Sequence, residues 1–486
     1  MNDNSNNIKK IIINSTFLYG AEIYRRIVRV ALVIFAARLL GDENYGKFAF
    51  AMVLVKFFLI FSDAGIHQLL VRELARFKKY QQKYIGNAIL IKIVLCLLTS
   101  IAIIVIIHLS NKPADVMYTV YYFTVSNIFA SFSLVFQSIF QARQKMKYVA
   151  YSNMIAISIS SIGGIGILLI GGDHVVLAMI FAAGAFVKLC YCIFITLKKF
   201  IKIKISYDYD VIKFIFKEGI PIGVNLILAT IYTLIDQIML SYICSDEAVG
   251  WYRAAYQFVF TMMVIPNELV KAAFPVLSKY FVTSMDDLKG LFNRLLKFLL
   301  LVSISLSTLL FLFSDDLIML IYGNEYINGA KALRILVWST GLIFITLIFT
   351  NTTRATDRQR FTAKVVLIGT IINIGLNLLL MPRYGVVGAA ATTLITELFV
   401  FTVHYIYLSG YLFRPPVLRF LPKVILINAV MVLSVYVSRK FGFFISFFLA
   451  IFVNVAMIFI TSYFNKKEFD FFKNLILRVK NRSRIK

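Results

Sequence analysis

The sequence predicts an all-α membrane protein that crosses the bilayer about fourteen times. Three observations lead to this fold class. Of the 486 residues, 60% are hydrophobic and 15% are charged, and the mean hydropathy of +0.82 lies far above that of soluble domains. Apolar runs of membrane-spanning length, which is roughly 20 residues, follow one another along the whole chain. Short seams containing Gly or Pro separate these runs, as expected at helix ends.

Fourteen apolar runs can be delimited, and each predicts one transmembrane helix. The first covers residues 12–37. The others are 45–66, 84–108, 117–140, 149–170, 175–197, 218–240, 249–270, 291–313, 330–350, 362–381, 386–408, 418–436 and 441–463.

Lysine and arginine are distributed very unevenly between the two sides of this arrangement. The side that holds both termini carries about four times as many of them as the other side, which by the positive-inside rule places it in the cytoplasm. This topological bias accounts for most of the formal net charge of +27, so the charge gives no reason to expect a nucleic-acid partner.

The chain also repeats itself in parallel orientation. GDENYGKFAFA at 41–51 is similar to SDEAVGWYRAA at 245–255, and the loop 142–150 is similar to the loop 355–363. Parallel repeats indicate two bundles related by an axis along the membrane normal, with a site between them. We therefore predict the following division: 1–200 as an N-lobe of helices 1–6, 201–410 as a C-lobe of helices 7–12, and 411–486 as helices 13–14 with a basic cytoplasmic tail.

The first apolar run carries four charged residues near its middle. Glu22, Arg25, Arg26 and Arg29 fall on one helix face, within an arc of roughly 100°. A charge at mid-bilayer costs about 2.5–3.5 kcal/mol on insertion scales, so these side chains are predicted to face protein or a water-filled cavity.

Three further cations lie within apolar runs of the first half: Lys56, Lys92 and Lys188. With Arg25, Arg26 and Arg29 they form a predicted binding site for a phosphate-bearing anion, because arginine grips phosphate through two parallel hydrogen bonds. Two alternatives stay open. The charges could form a salt-bridge cluster without a ligand, with Glu22 pairing with its arginines, and Lys92 and Lys188 could extend toward the membrane surface.

A second candidate site concerns ion coupling. Asp236 is a lone carboxylate inside the seventh run, and Asn373, Asn377 and Thr393 are its candidate partners on runs 11 and 12. Oxygen ligands of this kind suit a hard cation, and a lone carboxylate also suits a proton. The alternative is that hydrogen bonds hold Asp236 for packing alone.

The remaining patterns exclude several chemistries. The four cysteines lie in or beside apolar runs without ligand spacing, and the sequence contains no nucleotide-binding or hydrolase motif. No loop between runs is long enough for a catalytic domain. We therefore predict a transporter that is not an enzyme and needs no cofactor, with energy coming from an ion gradient (H⁺ or Na⁺) or from the substrate's own gradient.

Two stretches carry a family resemblance. AARLLGDENYGKFAFA with FSDAGIHQLLVRELAR in the first half, and IDQIMLSYICSDEAVGWYRAAYQF with PVLSKYF in the second, resemble bacterial polysaccharide flippases. These translocate O-antigen or capsule repeat units within the multidrug/oligosaccharidyl-lipid/polysaccharide exporter superfamily. The resemblance implies two six-helix lobes and two C-terminal helices around a V-shaped central cavity, in the bacterial cytoplasmic (inner) membrane.

The same resemblance implies an activity and its partners. The substrate would be an undecaprenyl-diphosphate-linked oligosaccharide, moved from the cytoplasmic to the periplasmic leaflet by alternating access and coupled to an ion gradient. Partners would be membrane lipids and the polymerase and chain-length components of an export pathway. The related peptidoglycan-lipid flippases place sodium at positions matching Asp236, Asn373, Asn377 and Thr393, although Asn377 stands where that branch has a second carboxylate.

Other functions compete with this interpretation. A flippase for peptidoglycan precursors or another lipid-linked glycan would use the same diphosphate chemistry. A cation or drug antiporter of the superfamily would need an anionic lobe, whereas the first lobe here is cationic. A membrane glycosyltransferase or polymerase would need carboxylate-bearing loops that the sequence lacks.

Overall fold

The computed structural model describes residues 2–77, 80–203, 205, 207–466 and 468, with side chains from residue 20 onward except at 225. These residues form α-helices joined by short turns and contain no β-strand. The first eight helices are α1 (Asn2–Asp63), α2 (Ile66–Arg76), α3 (Gln81–Leu109), α4 (Ala114–Ala142), α5 (Met146–Ser158), α6 (Gly164–Leu169), α7 (His174–Lys199) and α8 (Tyr209–Ile243). The second eight are α9 (Asp246–Met262), α10 (Val264–Thr283), α11 (Met285–Leu312), α12 (Ser314–Tyr322), α13 (Ile327–Ala355), α14 (Gln359–Tyr411), α15 (Val417–Ser438) and α16 (Phe443–Ile460).

Twelve stretches of the described residues are long and apolar enough to cross a membrane. Two of them, Gly20–Arg76 with 57 residues and Gln359–Tyr411 with 53 residues, are long enough for two crossings each. Each contains a glycine with non-helical backbone angles, Gly41 in α1 and Gly385 in α14, where the helix breaks. The all-α membrane fold is therefore confirmed, and the described residues are compatible with fourteen crossings.

The described residues divide into two compact units, one up to Ile238 and one from Met239 to residue 468. The first unit thus includes most of α8, which our boundary at 200/201 assigns to the second lobe. The lobe boundaries stay a prediction.

The first unit is organised around α4. This helix packs along α7 and also contacts α1, α2 and α3. Its buried side chains include Val135, Phe136 and Phe140, which join the apolar residues of α2 in one core cluster. The cluster fixes α2 beside α3, the helix on which one of the predicted cations, Lys92, is buried.

The second unit is organised around α13, which packs against α9, α10, α11 and α14. Leucines on one stripe of α11 are buried against it, at Leu288, Leu291, Leu295 and Leu299. The spacing of three or four residues explains why this face turns inward.

The two copies of the repeated motif both lie at helix breaks. In the first unit Gly41 has φ 75° and ψ 173°, and the Asp42 carboxylate accepts a hydrogen bond from the amide of Glu43 at 2.9 Å. In the second unit the Ser245 hydroxyl caps α9 by accepting from the amide of Ala248 at 3.3 Å. Small and capping residues at these positions end one helix and start the next.

Candidate functional site

The candidate site begins with the charged face of α1, formed by Glu22, Arg25, Arg26 and Arg29. The Glu22 carboxylate pairs with both neighbours, at 2.6 Å from Arg25 Nη2 and 2.8 Å from Arg26 Nε. The side chains of Arg25 and Arg26 are nevertheless 45% and 42% exposed. One carboxylate is thus shared between two guanidinium groups, and part of the positive charge stays accessible.

The charged face is distinct from the apolar exposed face of the same helix. Ile23, Ile27 and Val30 are exposed and lie about 80–140° around the helix from Glu22, at roughly 100° per residue. Leu32 and Ala36 follow Arg29 on the same side of the helix, about one and two turns later, and both are buried. The apolar stripe is the surface suited to lipid, and the charged face is directed away from it.

Three more of the predicted cations contribute accessible or half-buried charge in the first unit. Arg29 and Lys56 are exposed on α1, and Lys188 is half-buried on α7. Among the described residues no group accepts a hydrogen bond from the Lys188 ammonium or forms an ion pair with it.

Lys92 occupies a different environment from the other predicted cations. Its side chain is fully buried, and its ammonium donates to Asp63 Oδ1 at 2.6 Å, to the Ser62 carbonyl at 3.0 Å and to Ser131 Oγ at 3.0 Å. An ammonium group has three donors, and here all three are used. Lys92 therefore has no donor left for a ligand in this conformation, and we remove it from the proposed substrate contacts.

The predicted phosphate contacts are thereby reduced to Arg25, Arg26, Arg29, Lys56 and Lys188, with Glu22 as the anion beside them. Sequence reasoning did not find the partners of Lys92. Asp63 is the carboxylate within the second run, and a buried acid of that kind was the available signal that one cation would be neutralised.

The residues of the predicted ion site are all buried but lie in two units. Asp236 is on α8, within the first unit, at 6% exposure. On α14, Asn377 Nδ2 donates to Asn373 Oδ1 at 3.1 Å, and Thr393 Oγ1 is 3.3 Å from the hydroxyl of Tyr252. Tyr252 was not among the predicted residues. The α14 residues form a polar layer, and the four-residue ion site stays a prediction.

Two family models match the chain. The model described as polysaccharide biosynthesis protein covers residues 11–281, and the MatE model covers residues 221–379. The first match includes more than half of the sequence and every residue of the cationic site.

Several relatives match most of the chain at low identity. The capsular polysaccharide biosynthesis protein CapF of Staphylococcus aureus is 24% identical, over 81% of this chain and 98% of its own length. The Haloferax volcanii protein named as low-salt glycan biosynthesis flippase Agl15 is 22% identical, over 82% of this chain and 83% of its own length. A Shigella flexneri protein named as an O-antigen transporter is 23% identical, over 78% of this chain and 93% of its own length. These names agree with our prediction of a transporter rather than an enzyme.

Solved structures show the same fold. The lipid II flippase MurJ in an inward closed conformation aligns over 95% of this chain and 99% of its own, with a TM-score of 0.76 and 18% identity. A multidrug resistance transporter of the MATE family, in an inward-facing conformation, aligns over 79% of this chain and 95% of its own, with a TM-score of 0.59 and 14% identity. The chain is a multi-pass membrane protein with the MurJ and MATE transporter fold, and it belongs to the polysaccharide biosynthesis protein family of flippase-like transporters.

Proposed function

We propose that the protein moves an undecaprenyl-diphosphate-linked oligosaccharide from the cytoplasmic to the periplasmic leaflet by alternating access. It would do so in the bacterial cytoplasmic membrane, with both termini in the cytoplasm. The family and the names of the relatives support lipid-linked glycan as the class of substrate. The observation that carries the proposal is the charged face of α1, where exposed arginines sit inside a membrane span and face away from the apolar stripe.

A diphosphate fits this face because the Glu22 carboxylate is shared between Arg25 and Arg26, whose side chains stay 45% and 42% exposed. Arg29, Lys56 and Lys188 place three further cations in the same unit. Guanidinium groups bind phosphate oxygens in pairs, and hydrogen bonds between charged groups are about twice as strong as neutral ones. Glu22 would hold Arg25 and Arg26 in place while the site is empty. An H⁺ or Na⁺ gradient acting at Asp236 and the α14 polar layer would drive the return step.

Replacing Arg25 and Arg29 together with glutamine should abolish most glycan export. Each lost charged hydrogen bond is worth about 1.5–3 kcal/mol, so we expect surface glycan to fall at least about tenfold. The measurement is the amount of surface glycan, together with the lipid-linked repeat unit retained in the inner leaflet, in cells that depend on this protein.

Arg76→Gln is the matched control, because Arg76 is 61% exposed at the end of α2 and outside the charged face. It should export normally. Normal export by the Arg25→Gln/Arg29→Gln variant, at equal protein level, would disprove the diphosphate site. If this variant retained a peptidoglycan precursor in the inner leaflet instead of the repeat unit, the diphosphate site would stand. The transported glycan would then be the peptidoglycan precursor.

Export of organic cations is the second candidate, favoured by the MatE match over 221–379. The cationic face of α1 opposes it, since an organic cation would be repelled there. We expect cells that express the protein to show no change in susceptibility to cationic dyes and drugs. Measurable efflux that persists in the Arg25→Gln/Arg29→Gln variant would favour this candidate instead.

A further inference from the structure

Helix α14 forms an antiparallel hairpin that bends at Gly385, where φ is 53°. Its two halves meet closely near the bend, because a Cβ on Gly388 would lie 2.5 Å from the Leu380 carbonyl oxygen. Far from the bend, the rings of Phe361 and Tyr407 stack with centroids 3.6 Å apart. Position 380 thus lies opposite 388 and position 361 opposite 407, which is one continuous antiparallel register.

The length of this hairpin places its two ends at opposite membrane surfaces. From Gln359 to Gly385 a helix rises about 39 Å at 1.5 Å per residue, more than the ~30 Å hydrocarbon core. The tip at Gly385 therefore lies at one interface. The hairpin base, defined here as residues 354–364 and 411–414, lies at the other.

The hairpin base is strongly cationic. It carries five exposed basic residues and one exposed carboxylate, that of Asp357. Among the described residues no carboxylate forms an ion pair with any of the five. The basic residues are Arg354, Arg358, Arg360, Lys364 and Arg414. The tip, by contrast, carries a single basic residue, Arg383.

An aromatic stack fixes one of these cations in position. The guanidinium carbon of Arg358 lies 4.8 Å from the centroid of the Tyr411 ring, and Tyr411 in turn stacks on Tyr407 at 5.7 Å. Tyr411 is 37% exposed, so the platform is open on one side. A guanidinium group held over an aromatic ring keeps its hydrogen-bond donors in a fixed plane, which suits phosphate oxygens.

We propose that the hairpin base binds the phosphate headgroup of an anionic phospholipid of the membrane. The site is separate from the charged face of α1 and does not depend on the transported substrate. Its depth matches that of lipid headgroups, and its unpaired charges require an anion. Clusters of basic residues directly beside a transmembrane helix typically recruit anionic lipids in this way.

The test measures lipid binding to the purified full-length protein in detergent by native mass spectrometry, with phosphatidylglycerol and phosphatidylcholine as probes. We expect the wild-type protein to retain phosphatidylglycerol in preference to phosphatidylcholine. Arg358→Gln/Arg360→Gln should weaken phosphatidylglycerol binding about tenfold, since each basic residue near an anionic surface contributes roughly fivefold or less. Tyr411→Leu leaves every charge in place and should weaken binding less, because it removes only the platform.

Arg383→Gln is the control, because it removes one charge from the same helix at the opposite membrane surface. It should bind both lipids as the wild-type protein does. Equal losses in the base and tip variants, or equal retention of both lipids by the wild type, would overturn the proposal. Displacement of phosphatidylglycerol by an equimolar amount of undecaprenyl diphosphate would also overturn it, since the surface would then belong to the substrate.

Discussion

Replacing Lys92 with methionine should lower the free energy of unfolding by about 3–5 kcal/mol, the range for breaking a buried ion pair by removing one partner. The substitution leaves the Asp63 carboxylate at 8% exposure without the ammonium that lies 2.6 Å from it. It also removes the donors to the Ser62 carbonyl and the Ser131 hydroxyl. The measurement is reversible unfolding of the purified protein in detergent, with circular dichroism as the signal that reports unfolding.

Lys83→Met provides the matched comparison. Lys83 pairs with Asp208 at 2.5 Å, nearly the same distance, but its side chain is 45% exposed. The hydrogen bond from Lys83 holds the pKa of Asp208 below its usual value, so this pair contributes stability at neutral pH that disappears as acid protonates Asp208. Because water screens the pair, Lys83→Met should change the stability little at pH 7.

A double variant separates the charge from the packing. Lys92→Met/Asp63→Leu removes both charges and should recover much of the lost stability, because apolar residues of similar volume often replace buried ion pairs without cost. A Lys92→Met variant as stable as the wild type would show that water enters the pair. A double variant less stable than Lys92→Met alone would show that the hydrogen bonds, rather than the charges, hold the cluster.

Lys92 also marks where sequence reasoning reached its limit. Hydropathy places Lys56, Lys92 and Lys188 inside membrane spans, so the sequence makes each of them a candidate phosphate contact. Only the fold brings Asp63 of α1 and Ser131 of α4 to Lys92 of α3. Asp63 and Ser131 are 29 and 39 positions away from Lys92 in the sequence. Contacts over such separations depend on the rotation and register of the helices, and hydrophobic periodicity determines neither. The sequence predicts that a buried lysine needs a compensating partner, but it does not predict that Asp63 is the partner of Lys92.

Helix breaks were more predictable than helix partners. Gly41 and Gly385 lie in seams that the apolar pattern marks, and both have backbone angles that a glycine adopts without strain. The Glu22 pairs with Arg25 and Arg26 were likewise expected, because residues three and four apart meet on a helix surface. Local spacing therefore determined these features. The packing of α8 against the end of α1 is non-local and was not foreseen.

Gly65→Ala should destabilise the first unit by about 2–5 kcal/mol, from two causes that add. Gly65 follows α1 with φ +78°, a left-handed conformation that costs an alanine roughly 1–2 kcal/mol. A Cβ there would also lie 2.6 Å from the Gly219 carbonyl oxygen and 2.8 Å from the Gly223 amide nitrogen. Both are backbone atoms of α8 that cannot rotate aside, and such overpacking typically costs about 1–3 kcal/mol. The stability of the Gly65→Ala variant is measured by the same unfolding experiment as that of Lys92→Met.

Two further glycine variants distinguish these causes. Gly290→Ala in α11 has no atom within 4 Å of its new Cβ and ordinary helical backbone, so it should stabilise the protein by up to about 1 kcal/mol. Gly223→Ala brings its Cβ to 2.9 Å from the Ala64 carbonyl carbon but needs no left-handed angle. A loss for Gly223→Ala equal to that for Gly65→Ala would assign the effect to the contact between α8 and the helix break. A Gly65→Ala variant as stable as Gly290→Ala would mean that α8 does not approach the break this closely.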